Sequence, residues 1–184
     1  MTKSFWSATA MVCLLASPVA AQTPATHPEP AEHKEALAKA ELFAGYSLSR
    51  DDGETFNGFA ASLNFNVNSW FGLGVETSGH YKSHDGVDLA KNSFLVGPRV
   101  SKRGGKVVPF AYVLGGIERS RVSIGSVAVS ENDTAFAIGG GLDFEINAKW
   151  AFAIEGDQLL VRSHGDTHGT PRLSIGFVVM LGQK

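Results

Sequence analysis

The feature of this sequence that most constrains its fold is a two-residue alternation of apolar and polar side chains. In the stretch AFAIGGGLDFEI, the apolar Phe136, Ile138 and Leu142 alternate with Gly139 and Asp143. A period of two is that of a β-strand, in which successive side chains point to opposite faces of the sheet. Eight such segments follow one another to the end of the chain. Their length, about 10 to 14 residues, is typical of tilted strands that cross a bilayer.

The alternation assigns each segment one apolar face. Lys or Arg at mid-bilayer on a lipid-facing surface costs about 2–4 kcal/mol, so a lipid-facing set must lack charge. In chain order, we predict this outward face to contain Leu42, Ala44, Tyr46, Leu48; Phe59, Ala61, Leu63, Phe65, Val67; Phe71, Leu73, Val75, Thr77, Tyr81; Phe94, Val96, Val100; Val108, Phe110, Tyr112, Leu114; Phe136, Ile138, Leu142, Phe144; Trp150, Phe152, Ile154; and Leu173, Ile175, Phe177, Val179, Leu181.

Charged residues fall on the opposite face, together with Gly and Ala. An eight-stranded barrel has an interior just wide enough for side chains to fill it. We interpret this face as a narrow polar lumen with a structural charge network, and an ion gate is the alternative role. Acid exceeds base on this face, so we expect Arg172, near the rim, or water to help to balance it. The predicted lumen charges are Glu76, Arg99, Asp143, Glu145, Glu155 and Asp157.

The connections between segments differ in length. NVNS, KRGGK and INAK are short, whereas DDGET, SHDGVD, SIGSVAVSEN and SHGDTHG are longer and polar. Short turns on one side and longer loops on the other predict an outer-membrane barrel with both termini in the periplasm. Pro98 and Pro109 fall within segments, where we expect rim positions or bulges.

The first 40 residues differ in composition from the rest. Residues 1–21 have Lys3, an apolar stretch, and Val19 and Ala21 placed for cleavage, as in a secretory signal peptide. The only cysteine, Cys13, lies in this segment, so the mature chain is expected to have no disulfide. Residues 22–40 begin Pro-rich and end with helix-forming residues, which predicts a periplasmic linker with a short helix. The linker entering the barrel as a plug is the alternative.

Composition favours a barrel and argues against nucleic acid as a partner. The formal net charge is −2, so no basic field is present to attract phosphates. The chain has 21 Gly and 10% aromatic residues, and no apolar run after the first segment is long enough for a membrane helix.

An internal repeat supports the barrel. Residues 65–76, FNVNSWFGLGVE, align without a gap to residues 144–155, FEINAKWAFAIE. Trp70 and Trp150 follow the short turns, where we predict an aromatic girdle at the periplasmic headgroups.

Over residues 41–184 the chain resembles the small eight-stranded outer-membrane barrels of the OmpA/OmpX-like group. ELFAGYS, the IGGGLD strand and the closing RLSIGFVVML carry the resemblance. It implies an integral outer-membrane protein with lipid and the barrel-assembly machinery as partners. In that group the last strand is an assembly signal, which Ser174, Gly176, Val179 and Leu181 match loosely. The chain departs from the group in ending on LGQK rather than on an aromatic residue.

Two constellations contain residue types suited to chemistry. His80 and His84, and His164 and His168, are spaced i, i+4, and are weak candidates for binding Zn²⁺ or Cu²⁺ if loops bring them together. Ser83-His84 and Ser163-His164 contain groups that a lipid hydrolase would use, but adjacent residues of one strand point apart. We therefore predict no catalytic site, no bound metal and no cofactor.

These observations predict an all-β, eight-stranded antiparallel up-and-down transmembrane barrel. Its expected function is structural, interactive or that of a narrow pore, with an unknown partner at the surface loops. A lipid-modifying barrel enzyme and a soluble periplasmic ligand-binding barrel are the alternatives.

Overall fold

The computed structural model describes residues 37–51, 53–84, 87–124, 127–163 and 165–182. Each strand pairs antiparallel with the next, and the last pairs with the first to close a barrel. The predicted fold class is therefore confirmed. The predicted signal peptide and most of the predicted linker lie outside the described residues. The strands are β1 (Ala40–Asp51), β2 (Glu54–Asn66), β3 (Phe71–His84), β4 (Val87–Ser101), β5 (Val107–Ile124), β6 (Val127–Glu145), β7 (Trp150–Ser163) and β8 (Asp166–Leu181).

The outside of the barrel is an apolar band. Phe94, Ile138 and Phe177 are more than half exposed, as are many other large apolar side chains on the outward face. Outward positions carry no Asp, Glu, Lys or Arg until Arg50, Asp88, Arg119 and Arg162 near one end of the strands. A soluble ligand-binding barrel would have the reverse arrangement, so that alternative is wrong. In the part of the chain described above, no helix is long and apolar enough to span a membrane.

Strand β5 corrects one predicted face. Val108, Phe110, Tyr112 and Leu114 were expected to face lipid, but they are buried inside the barrel. The residues of β5 that face outward are instead those at the alternate positions, among which Val113 and Ile117 are about half exposed. Both faces of β5 are apolar in this region, so alternation of hydrophobicity cannot distinguish inside from outside.

The predicted long loops are also wrong. The strands of each hairpin pair almost to its tip, as Ser123 pairs with Ala128 and Ser163 with Asp166. The polar composition of these segments arises because strands that continue beyond an apolar band have water on both faces. We call the end of the barrel at which these paired strands reverse direction the hairpin end. The opposite end, which contains residues 67–70, 102–106 and 146–149, is the turn end.

The two strand prolines lie near the turn end without bulges. Val96 faces Gly115 and Arg99 faces Tyr112, so the β4–β5 register is the same on both sides of Pro98. Pro109 keeps its place opposite Leu142 in a continuous β5–β6 ladder. Of the two predicted alternatives, rim positions are confirmed and bulges are wrong.

The two turns of the internal repeat have the same geometry. The side-chain oxygen of Asn68 accepts hydrogen bonds from the backbone N–H groups of Trp70, at 2.9 Å, and Phe71, at 2.8 Å. The Asn147 oxygen accepts from Lys149 at 2.8 Å and from Trp150 at 3.0 Å. Each asparagine thus holds the chain in the reversal that begins the next strand.

This geometry predicts the cost of removing the turn asparagines. We expect Asn147→Ala to lower the free energy of unfolding by about 1–2 kcal/mol, because two backbone N–H groups lose their acceptor. Urea unfolding in detergent micelles, followed by tryptophan fluorescence, would measure it. Asn132→Ala, at an exposed position on β6, is the control and should change stability by less than about 0.5 kcal/mol. Equal stability of the two variants would contradict the turn assignment.

Candidate functional site

The candidate site is the barrel interior, where two charge networks cross the lumen. The first lies at the turn end. Arg99 donates to Asp143 at 2.7 Å, and its Nη2 lies 3.9 Å from Glu41 Oε2. Arg103 donates to Glu41 at 2.6 Å and to Asn66 at 2.9 Å. These contacts join β1, β2, β4, β6 and the turn after β4, so they bridge the lumen from wall to wall.

The second network is centred on Arg172, which is 5% exposed. Its guanidinium donates to Glu76 at 2.8 Å, to both carboxylate oxygens of Asp157 at 2.8 Å, and to Ser78 at 2.9 Å. The Tyr112 hydroxyl donates to Asp157 at 2.8 Å. Burying these charges is tolerable because the guanidinium donates to several partners at once.

Glycines of β6 make room for these side chains. Gly139 lies between Tyr112 on β5 and Asp157 on β7. A Cβ at Gly139 would lie 2.3 Å from the Cβ of Asp157. Gly141 is opposite Phe110, and a Cβ there would lie 2.8 Å from its ring. Gly139 and Gly141 therefore leave space on the inner wall of the barrel, which the large inward side chains of the neighbouring strands fill.

The aromatic side chains of β5 support the charges directly. The Arg99 guanidinium lies 3.7 Å from the centroid of the Phe110 ring, a cation–π contact. Phe110 in turn stacks on Tyr112, with the ring centroids 6.2 Å apart. The β5 residues that were expected to face lipid therefore connect the two networks.

The other two predicted lumen acids occupy different places. Glu155 is buried and shares with Glu76, Arg99 and Tyr112 a cavity of only about 10 Å³, room for roughly one water. Glu76 and Glu155 are equivalent residues of the internal repeat. Glu145 lies at the end of β6 and is half-buried.

The structure describes the side chains of two of the four predicted histidines, His80 and His168. His80 is buried in the lumen, with Nε2 2.9 Å from Ser47 Oγ. His168 is exposed at the hairpin end. His164 lies outside the described residues, and the structure describes only the backbone of His84. Among the described residues, no three His, Cys, Asp or Glu side chains are grouped to hold a metal ion.

A wider cavity opens at the hairpin end, beyond the Arg172 network. Its volume is about 230 Å³, and its charged lining residues are Asp51, Lys91, Glu118 and Asp133. Lys91 and Asp51 form an ion pair across it. The interior therefore narrows from this mouth to the two networks.

Aromatic residues mark both edges of the apolar band. Trp70 is 59% and Trp150 46% exposed at the turn end, and their role as membrane anchors stays a prediction. Toward the hairpin end, Tyr46 donates to Asn57 and Tyr81 donates to Asn92, each across one strand pair. This second belt was not predicted, although Tyr46 and Tyr81 in the alternation are the residues that indicate it.

Several residues of the networks were missed or misplaced. Glu41 has the inward parity of its strand but was not singled out, and Arg103 lies in a turn without alternation. Arg172 was expected near the rim, whereas it is the centre of the second network. Tyr112 was assigned to the wrong face.

A closed antiparallel barrel with an apolar exterior and a charged lumen defines a class, the membrane-spanning β-barrels. The chain belongs to the outer membrane protein beta-barrel domain family, whose profile matches residues 7–179. This confirms the resemblance and indicates an outer-membrane location. A comparison with curated proteins gave no significant match.

Solved structures of the same architecture are similar in fold. Neisserial surface protein A gives a TM-score of 0.63 at 13% identity, over 77% of this chain and 96% of its own. The attachment invasion locus protein Ail of Yersinia pestis gives 0.54 at 20%, over 77% and 99%. The N-terminal barrel of Pseudomonas aeruginosa OprF gives 0.53 at 14%, over 77% and 97%.

The central network predicts a large effect of truncating Arg172. We expect Arg172→Ala to lower the free energy of unfolding by about 3–5 kcal/mol, because the buried Glu76 and Asp157 lose their cation. Arg172→Lys should cost less, since it keeps the charge but not the several donors. Urea unfolding in micelles is the measurement.

Arg119→Ala is the matched control, since Arg119 is exposed on the outer face of β5. It should stay within about 0.5 kcal/mol of the wild type. An Arg172→Ala barrel as stable as this control would show that the network contributes nothing to the fold.

Proposed function

We propose that this protein is a closed outer-membrane barrel whose role is structural and interactive, and that it does not conduct solutes. The observation that carries the proposal is the pair of charge networks that cross the lumen. Between Glu76, Arg99, Tyr112 and Glu155 the free volume is only about 10 Å³. A hydrated ion needs a continuous path several waters wide, which this arrangement does not offer.

The hairpin end supports the interactive part of the proposal. β5 and β6 continue for several residues beyond Ile117, the last apolar outward residue of β5. In this extension Val122, Val127 and Val129 are exposed apolar side chains. Exposed apolar residues on a rigid, paired hairpin are typical of a surface that contacts another molecule.

An enzymatic function has weaker support. The structure does hold a Ser–His pair, since Ser47 Oγ lies 2.9 Å from His80 Nε2. Both residues are buried in the lumen, at 1% and 4% exposure, and Ser174 donates to Ser47. A lipid in the bilayer cannot reach a hydroxyl inside the barrel. The pair is better explained as part of the polar packing.

Planar-bilayer recordings test the closed lumen. We expect the wild-type barrel to give no stable conductance steps. The E76A/D157A/R172A variant should conduct, because the three side chains that meet at the centre are removed together and no unpaired charge of that network is left behind. A heat-dependent mobility shift on SDS gels would verify that each protein is folded. Stable wild-type channels of the same size as those of the variant would contradict a sealed lumen.

We propose that the hairpin end faces the outside of the cell and that residues 1–21 are a cleaved signal. A cysteine-labelling experiment tests both. Ser130→Cys, on exposed β6, should react with a membrane-impermeant maleimide in intact cells. Ser69→Cys, in a turn, should react only after permeabilisation. Wild type should not react at all, because its only cysteine, Cys13, is removed with the signal. The opposite labelling pattern would reverse the orientation.

A further inference from the structure

The cavity at the hairpin end contains a buried acid that the charge networks do not use. Glu118 on β5 lines this cavity of about 230 Å³ and is only 6% exposed. It makes no hydrogen bond and no ion pair with another described residue. Its carboxylate therefore faces the cavity without a cation in direct contact, and a carboxylate in such a place is a candidate ligand for a bound cation.

A second acid faces the same space. Asp133 lies directly opposite Glu118 on the neighbouring strand β6, and both side chains line the cavity. Like charges directly opposite each other in a sheet are destabilising. Two adjacent carboxylates around an open cavity therefore create a site for positive charge.

The nearby lysine is shared with a third acid. Lys91 is ion-paired with Asp51, and its ammonium lies 5.3 Å from the centroid of the buried Phe56 ring. It also attracts Glu118, as does the more distant Arg172. With His168 neutral, Asp51, Glu118 and Asp133 against Lys91 give the cavity lining a formal charge of −2.

We propose that the cavity binds a small organic ammonium ion, with Glu118 and Asp133 as its anionic ligands. The cavity is far larger than a dehydrated metal ion requires, and the described residues include no group of three His, Cys, Asp or Glu that could hold one. The wall also contains Val161, a surface for methylene groups, and the Thr170 hydroxyl, an acceptor for an N–H group.

Calorimetric titration of the refolded, full barrel in zwitterionic micelles at low ionic strength tests the proposal. The probe is 1,4-diaminobutane, and its neutral isostere 1,4-butanediol is the ligand control. We expect one diamine site per barrel, weakened at least about tenfold in Glu118→Gln and in Asp133→Asn, with no binding of the diol. Added salt should weaken diamine binding, because the attraction is electrostatic.

Glu54→Gln is the matched variant control. Glu54 is an acid at the same end, paired with Lys82 at 2.7 Å and outside the cavity lining. The Glu54→Gln variant should bind the diamine with the affinity of the wild type. A heat-dependent mobility shift on SDS gels verifies that every variant is folded.

Two results would overturn the proposal. The first is no diamine binding by the folded wild type, and Mg²⁺ binding under the same conditions would then assign the cavity to inorganic cations. The second is equal diamine affinity of wild type and Glu118→Gln.

Discussion

Closure of β8 onto β1 is the constraint on which the rest of this structure depends. In a bilayer every backbone N–H and C=O group must find a partner within the protein, and a barrel achieves this only when no edge remains. The β1–β8 ladder runs from Ala40–Leu181 to Ser49–Arg172, so the seam is paired through the apolar band. With eight strands the interior is then too narrow to stay open, and whatever faces inward must pack.

Charged groups packed in that space need partners of opposite charge, and the balance of arginines and acids changes along the barrel axis. At the turn end Arg99 and Arg103 match Glu41 and Asp143. At the centre Arg172 contacts Glu76 and Asp157, and Glu155 lines the small cavity next to Arg99, so the central acids outnumber Arg172 by two. The mouth has a further excess of two. The lumen is therefore neutral and closed at one end, and acidic and wider at the other.

The fold could be predicted from the sequence because alternation is strongest where one face meets lipid. The prediction failed for Tyr112 and its neighbours on β5, since apolar residues on both faces leave the register undetermined and only the packing against Gly139 and Gly141 resolves it. It failed again at the hairpins, because polar composition is shared by loops and by strands surrounded by water. Residue composition alone does not indicate whether two strands remain hydrogen-bonded beyond the apolar band.

The charge networks were predictable as a set of inward residues but not as pairs. Parity places Glu76 and Asp157 inside, yet nothing in their spacing indicates that Arg172, from β8, would reach both. That contact depends on the stagger of eight strands around a closed cylinder. The register of the neighbouring strands β5 and β6 places Glu118 opposite Asp133, and Lys91, the lysine of the cavity lining, is ion-paired with Asp51. The acids of the mouth therefore outnumber its lysine, which makes the mouth the part of the lumen best suited to receive a positively charged molecule from outside.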